Sequence, residues 1–355
     1  MKLTKKLVLE FSIIFLLVLV YGIIRLNTAS EQKDIIFDEN YYVPMAQTAY
    51  TTGVDIHPQY QPPIGRLGVE AGIAIGGDNP TGWRFFSVIA GCIGLLAFYT
   101  ICRVLKFRIL PSLISTIAMS LCSLWWWLSG HACLDIYMVC LEILAMMGYL
   151  LGKPLRAGVV SGLAVATKIM GGLTTWTLII LEVWTNRGKR VIEITMCAIV
   201  SFFAAIEIGE FLIAHHWVNP IKYVSDILNY ATVINNYHKM QGAILWFLKY
   251  KVELFTDGAR TGFWYPMWLL TVPLIVYAGY KAVKGDYAGK VITSWFAGFY
   301  LSWCVLSFVI NRGSYVYYEL MVLPCLYLAL AFALNSLWLH FAHGAKPPSH
   351  RLRST

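Results

Sequence analysis

The sequence predicts an all-α polytopic membrane protein, and three observations carry that prediction. Hydrophobic residues fill 58% of the 355 positions and charged residues only 13%, whereas a soluble domain has about 25% charged residues. About ten apolar segments recur, several with the roughly 20 residues that carry a helix through the hydrocarbon core. The basic residues sort consistently between alternate loops, as the positive-inside rule requires.

The apolar segments lie near 7–26, 83–102, 109–129, 134–151, 156–167, 170–184, 191–214, 264–280, 291–310 and 318–340. The N-terminal Lys2, Lys5 and Lys6 followed by an apolar run resemble a signal peptide. The run is long for one and further spans follow, so it reads as a retained first helix. Arg103, Lys106 and Arg108 follow the second segment, Lys153 and Arg156 the fourth, and Arg187, Lys189 and Arg190 the sixth. Lys281, Lys284 and Lys290 follow the eighth, and Lys346, Arg351 and Arg353 end the chain. All of these share one side if both termini are cytoplasmic. The stretch between Arg156 and Arg187 is too short for two full spans. Two shortened helices meeting at Lys168 preserve the charge pattern; one long helix through Lys168 would reverse every later loop. The paired arrangement is the expectation adopted, with its tip buried in protein or facing water.

Two large loops then lie outside, near 27–82 and 215–263. In the second, Tyr223, Ile227, Tyr230 and Ile234 alternate with Lys222, Asp226, Asn229 and Asn235 at helical spacing. This is the pattern of an interfacial amphipathic helix, and Ile244 to Leu254 reads the same way. The expected organisation is a single transmembrane domain over 1–345 and a cytoplasmic basic tail over 346–355.

The net charge of +9 is explained by topology. No basic stripe with interleaved aromatics suggests nucleic acid as a partner. The eight Cys residues lie mostly inside apolar runs, without metal-ligand spacing on a polar loop, so they read as packing residues and no metal site is expected.

Candidate chemistry concentrates on the outside. Asp38 and Glu39 follow the first span. A carboxylate in low-dielectric surroundings has its pKa raised toward that of a working base. Equally, the pair could be a solvated acidic cap on a helix starting near Tyr41. His57 sits in a Pro- and Gly-shaped loop ending at Arg66, where it could bind, shuttle a proton or merely decorate the surface. Arg84 opens the second span, either snorkelling to the interface or binding an anion. Asp135, Lys168 and Arg312 lie within or at the rims of apolar segments, where charge is often functional. Asp135 could pair with Lys168 or Arg312, and two rim cations could neutralise a phosphate leaving group. Glu142, Glu182, Glu207 and Glu210 read as helix–helix hydrogen-bonding groups.

In order, these pieces resemble a known family. Asp38-Glu39 is similar to the acidic motif of dolichyl-phosphate-mannose–protein mannosyltransferases, polytopic membrane glycosyltransferases of the GT-C fold. The family's His-Pro-Pro-Leu-Gly-Lys loop resembles His57-Pro58 with Pro62-Pro63-Ile64-Gly65-Arg66, interrupted here by four residues. Gly82 to Ser87 resembles the Arg-containing start of its second span, Leu134-Asp135 its Leu-Asp, and Gly162 to Lys168 its Gly-Leu-Ala…Lys segment. Asn311-Arg312 to Pro324 resembles its late Arg…Tyr-His-Tyr…Pro segment, with Tyr317-Tyr318-Glu319 where Tyr-His-Tyr is common. No trefoil-like domain occupies the second loop, a departure that favours a prokaryotic cell membrane.

The resemblance implies inverting, metal-independent transfer of a sugar, with mannose first, from a polyprenyl-phosphate donor to a hydroxyl acceptor. The acceptor would be protein Ser/Thr or a glycan, on the non-cytoplasmic face and with no cofactor. Asp38 would be the base and Glu39 its assistant or acceptor contact. His57, Arg66, Arg84, Asp135, Lys168, Arg312, Tyr318 and Glu319 would contact substrate, with Arg84, Lys168 and Arg312 facing the donor phosphate. Two other classes stay open: a non-catalytic scaffold relative, and a secondary transporter using Asp135 and Lys168.

Overall fold

The computed structural model describes residues 5–57, 60–233, 265–309 and 316–343. All regular structure among the described residues is helical. The first helix, α1 (Lys5–Glu31), leads to α2 (Glu39–Thr52) and α3 (Pro63–Gly76), which together fill the first large loop. Then come α4 (Pro80–Val104), α5 (Ile109–Ser120), α6 (Ser123–Leu128), α7 (Leu134–Leu150) and α8 (Pro154–Thr167). The remainder are α9 (Gly172–Asn186), α10 (Val191–Ala214), α11 (Pro220–Val233), α12 (Tyr265–Val283), α13 (Tyr287–Phe296), α14 (Ser302–Val309) and α15 (Leu323–His343). A π-helical turn, Ala297–Leu301, joins α13 to α14.

Among the described residues, length and composition suit five stretches to cross a membrane: Val8–Glu31, Pro80–Val104, Val191–Ala214, Tyr287–Val309 and Leu323–Phe341. Shorter apolar helices lie between them. The surface is that of a chain solvated by lipid. Phe15, Leu16, Ile192 and Val200 are exposed on α1 and α10, while Trp125, Trp295, Phe98 and Tyr99 are fully buried in the common core.

Local chemistry sets the helix ends. The Asn79 side chain accepts from the amides of Thr81 and Gly82 at 3.0 and 3.2 Å and, with Pro80, starts α4. Pro63 and Pro154 open α3 and α8 in the same first-turn position. Lys168 is extended (φ −153°, ψ 133°) and stops α8. A short 3-10 turn, Ile169–Gly171, then restarts the chain as α9.

Polar contacts fix the direction of each pass. Glu10 near the start of α1 meets Arg103 and Tyr99 near the end of α4 at 2.5 and 2.7 Å. At the other end of the same pair, Arg84 reaches the carbonyl of Ala29. Tyr149 at the end of α7 donates to Glu182 at 2.6 Å, and Asn186 beside it donates to Tyr149 at 3.1 Å. Lys168 meets Asp135 at the opposite end of α7. Helices α8 and α9 are therefore a hairpin of two short helices with Lys168 at its tip, and the single long helix is excluded. Arg103, Arg108, Lys153, Arg190 and Lys290 consequently share the face opposite Asp38.

Helices α8 and α10 approach closely through Gly158 and Gly162, spaced as membrane small-xxx-small contacts are. A Cβ on Gly162 would lie 2.2 Å from the carbonyl oxygen of Ala198, and one on Gly158 2.6 Å from that of Ile194. Backbone cannot yield as a flexible side chain can. Gly162→Val is expected to destabilise the protein by about 1–3 kcal/mol, in the range of overpacked cores. A lowered midpoint of thermal unfolding in detergent checks this, with Gly279→Ala, whose added Cβ meets nothing within 4 Å, as the control.

Helix α11 lies over the end of α10. Tyr223 and Ile227 are buried against Ile206, while Ile221 and Leu228 are exposed on its other side. Ile234 and residues 244–254, the remainder of the expected amphipathic pattern, lie outside the described residues, as does the tail over 346–355.

Candidate active site

Asp38 and Glu39 are adjacent in sequence but go to different places. Asp38 occupies the N-cap position of α2, yet its side chain makes no capping bond. Its carbonyl does the capping, accepting from Tyr41 N and Tyr42 N at 3.0 and 3.2 Å. The side chain is half-buried and still reachable by solvent. Burial pushes its carboxyl up to about 7; the Lys168 ammonium pulls the other way, and the Asp135 carboxylate raises it further. Asp38, Asp135 and Lys168 are thus one electrostatic group.

Glu39 is fully buried and its carboxylate is saturated. Oε1 accepts from Arg84 Nε at 2.7 Å and Ala132 N at 2.8 Å; Oε2 accepts from Arg84 Nη2 at 2.7 Å and Ile36 N at 3.2 Å. Arg84 is equally occupied. Besides its fork onto Glu39, Nη1 donates to the carbonyls of Ala29 and Gln32 at 2.7 and 2.5 Å, and Nη2 to that of Asp34 at 2.9 Å. A guanidinium has five N–H donors, and these contacts use them all. The sequence expectation of a rim Arg84 that snorkels or grips phosphate is corrected here. Arg84 is a buried staple holding the loop after α1 to the start of α4. Glu39, expected beside Asp38 as an assistant, is that staple's counter-ion.

Across from Asp38, Lys168 Nζ donates to both oxygens of Asp135 at 2.8 Å. Of the two pairings open in the sequence, Asp135 thus makes the one with Lys168. The ammonium also lies 5.4 and 5.2 Å from the ring centroids of Tyr317 and Tyr318, a cation–π arrangement. These rings come from the 3-10 turn Val316–Met321, which brings the far C-terminal part of the chain to the hairpin tip. Trp303 supports Tyr318 edge-to-face at 5.3 Å.

Other expected contacts lie elsewhere. Glu319 turns into the core, 2% exposed, where its field reaches Cys122 and Tyr300. The turn that presents Tyr318 to Lys168 sends the next side chain to the opposite side. Arg66 is buried in a separate network. It donates to Asp55, to Glu210 at 2.5 Å and to Tyr223 at 2.7 Å, tying α3 to α10 and α11 instead of joining the Asp38 group. His57 stacks on Tyr60 at 4.6 Å, and Tyr60 in turn meets Tyr230 at 4.8 Å and Tyr41 at 6.0 Å. This aromatic run connects α11 to the helix that Asp38 begins. Arg312 lies outside the described residues. Glu142 and Glu182 act as interhelical acceptors, from Trp295 and from Tyr149.

Three participants had no motif to mark them. Arg25, buried in α1, donates to the carbonyls of Trp126 and Trp127 at 2.6 and 3.2 Å; its only sequence signal was a basic residue near the end of an apolar run. Tyr42 and Cys133 lie in the field of Asp38 and Asp135, and nothing in their spacing distinguishes them from core.

The helical arrangement matches that of membrane glycosyltransferases. Apo ArnT from Cupriavidus metallidurans superposes with a TM-score of 0.64 at 14% identity, covering 90% of this chain and 59% of that one. The undecaprenyl phosphate-bound form of ArnT gives a TM-score of 0.61 at 14% identity, covering 91% of this chain and 60% of that one. The chain therefore has the GT-C fold. In sequence, a polyprenol-phosphate-mannose–protein mannosyltransferase of Mycolicibacterium smegmatis is 27% identical over 139 residues, 38% of this chain and 27% of that protein. Its counterpart in Mycobacterium tuberculosis is 35% identical over 86 residues, 23% of this chain and 16% of that protein. The resemblance carried by the short motifs thus extends to measurable identity, over about a quarter or less of these relatives' length. No protein-family model matches the chain.

Proposed function

We propose that this protein is a glycosyltransferase that moves a sugar from a polyprenyl-phosphate donor to a hydroxyl acceptor on the Asp38 face of the membrane. The observation that carries the proposal is the juxtaposition of Asp38, poised as a base, with the Lys168–Asp135 pair inside a GT-C fold. Relatives named for polyprenol-phosphate-mannose and protein make mannose and Ser/Thr the first sugar and acceptor to test.

The chemistry follows from the residues. Asp38 takes the proton of the acceptor hydroxyl. The oxygen attacks the anomeric carbon from the side opposite the phosphate, the bond from that carbon to the phosphate oxygen breaks, and configuration inverts. The proton leaves Asp38 for solvent. The departing phosphate gathers negative charge, which Lys168 opposes: two of its three donors hold Asp135, and the third serves a phosphate oxygen. Asp135 keeps the ammonium charged and aimed, and Tyr317 and Tyr318 wall it in. The donor's hydrocarbon tail stays in lipid, so such an enzyme needs no nucleotide-binding loop. The Asp38 face is then the non-cytoplasmic one, with both termini cytoplasmic.

Lys168→Met tests the phosphate role. It is expected to raise the donor KM and lower kcat/KM by about 10²–10³-fold, the scale set by losing one charge-stabilising donor. The broader test is mass spectrometry of products from purified protein given polyprenyl-phosphate mannose and a Ser/Thr peptide, then a panel of lipid-phosphate sugars and glycan acceptors. No product from any pair, with counterflow of a solute in proteoliposomes, would overturn the proposal in favour of transport.

A further inference from the structure

We propose that Phe37 is a positioning residue that fixes Asp38 in the site and links it mechanically to Tyr317 beside Lys168. The inference rests on the transferase reading of Asp38. Phe37 has φ of +57°, the left-handed region that a bulky aromatic residue rarely enters. Such conformations persist only where surrounding contacts over-determine them, and they collect at functional sites.

The contacts here do so from two sides. The main chain is held from α2: Asn40 N and Asn40 Nδ2 donate to the Phe37 carbonyl at 3.1 and 2.9 Å. The ring is held by aromatics from two distant parts of the chain. It meets Trp127 edge-to-face at 5.4 Å and Tyr317 edge-to-face at 4.9 Å. Trp127 is itself backed by His131, stacked at 4.1 Å. Tyr317 packs on Tyr318 at 4.7 Å and turns its face toward Lys168.

The peptide that carries Asp38 is therefore wedged against the same ring that walls the cation. Returning Phe37 to an ordinary negative φ would withdraw its ring from Tyr317 and re-aim the next residue. The base and the phosphate-side cation, more than 100 residues apart in sequence, would then lose their common frame. The ionisable groups around Asp38 are Tyr42 on its own helix, Cys133 and Asp135 at the start of α7, Lys168 at the hairpin tip and Tyr317 on the 3-10 turn.

The test reads Asp38 directly. A hydrophobic carbodiimide modifies protonated carboxyls, and peptide mass spectrometry quantifies the label on Asp38 against pH; kcat and donor KM are measured alongside. In the unmodified protein labelling should decline through about pH 7. Phe37→Tyr, which keeps the ring, should behave the same. Phe37→Leu should admit water, lower the labelling midpoint by about one pH unit and reduce kcat about 100-fold, the scale of a small misplacement, with donor KM nearly unchanged. Phe37→Gly tolerates the positive φ without strain but has no ring. It should match Phe37→Leu, and it decides the matter if the leucine variant does not fold. An unshifted midpoint and undiminished kcat in Phe37→Leu or Phe37→Gly would overturn the positioning role. Full activity in Asp38→Asn would instead remove the transferase assignment of Asp38, while the labelling midpoint would still decide whether Phe37 positions it.

Discussion

Asp38→Asn is expected to lower kcat by roughly 10²–10⁴-fold, the contribution of a positioned general base, without loss of fold. Asparagine matches the shape of aspartate and cannot accept the proton. Because Asp38 makes no side-chain cap bond, α2 loses nothing by the exchange. The pH profile of the unmodified protein supplies the complementary signature. The carboxyl sits at about 7, so the base form fills as pH rises through that value and transfer should fall away below it. Stability runs the other way. A carboxyl raised above its unfolded value near 3.9 holds its proton more tightly in the folded chain. The contribution of Asp38 to stability is therefore present at acid pH and lost as pH rises through about 7. At pH 8, Asp38→Asn should unfold at the same temperature as the parent or a higher one. A variant that is inactive and also markedly less stable would argue for a structural Asp38.

Arg84→Ala is expected to be the most damaging single change to the fold, by about 3–5 kcal/mol, as when one partner of a buried ion pair is removed. The loss exceeds one pair. Three main-chain carbonyls between Ala29 and Asp34 lose their donor, and the fully buried Glu39 carboxylate keeps only two backbone amides. Arg84→Lys should recover little, because one ammonium cannot reproduce a planar five-donor fork. Glu39→Gln should be milder than Glu39→Ala, since the amide oxygen can still accept from Ala132. Thermal unfolding of the single variants and of Glu39→Ala/Arg84→Ala in one cycle measures the coupling. Additive effects would show that the two groups act independently, against the staple. Transfer should fall with stability in these variants and recover at lower temperature, separating them from Asp38→Asn, whose defect is temperature-independent.

Much of this architecture was legible in the chain because its causes are local or compositional. Lipid solvation imposes long apolar runs, and loop charge imposes direction. The hairpin at Lys168 was legible too: two helices of that length cannot each span a bilayer, and the charges on either side had to stay together. The pairing of Asp135 with Lys168 was open as one of two possibilities. Arg84 and Glu319 show where such inference stops. Each stood near a motif and at the rim of an apolar run, yet one became a saturated internal staple and the other turned into the core. The direction of a side chain at a rim depends on neighbours from distant helices, which spacing does not encode.

By itself, then, the sequence determined that Asp38 and Glu39 emerge together beyond the first span, on the face opposite the basic loops. Only the tertiary structure separated them. Packing of α4 against α1 delivers two guanidinium donors to Glu39, which with the amides of Ile36 and Ala132 leave that carboxylate no capacity for substrate. The left-handed turn at Phe37 and the return of the C-terminal Tyr317 to the hairpin tip leave Asp38 half-buried beside Lys168. The physical reason is that a carboxylate's chemistry is set by what surrounds it. For two neighbours on one turn of chain, those surroundings come from elements as far away in sequence as Arg84, Lys168 and Tyr317.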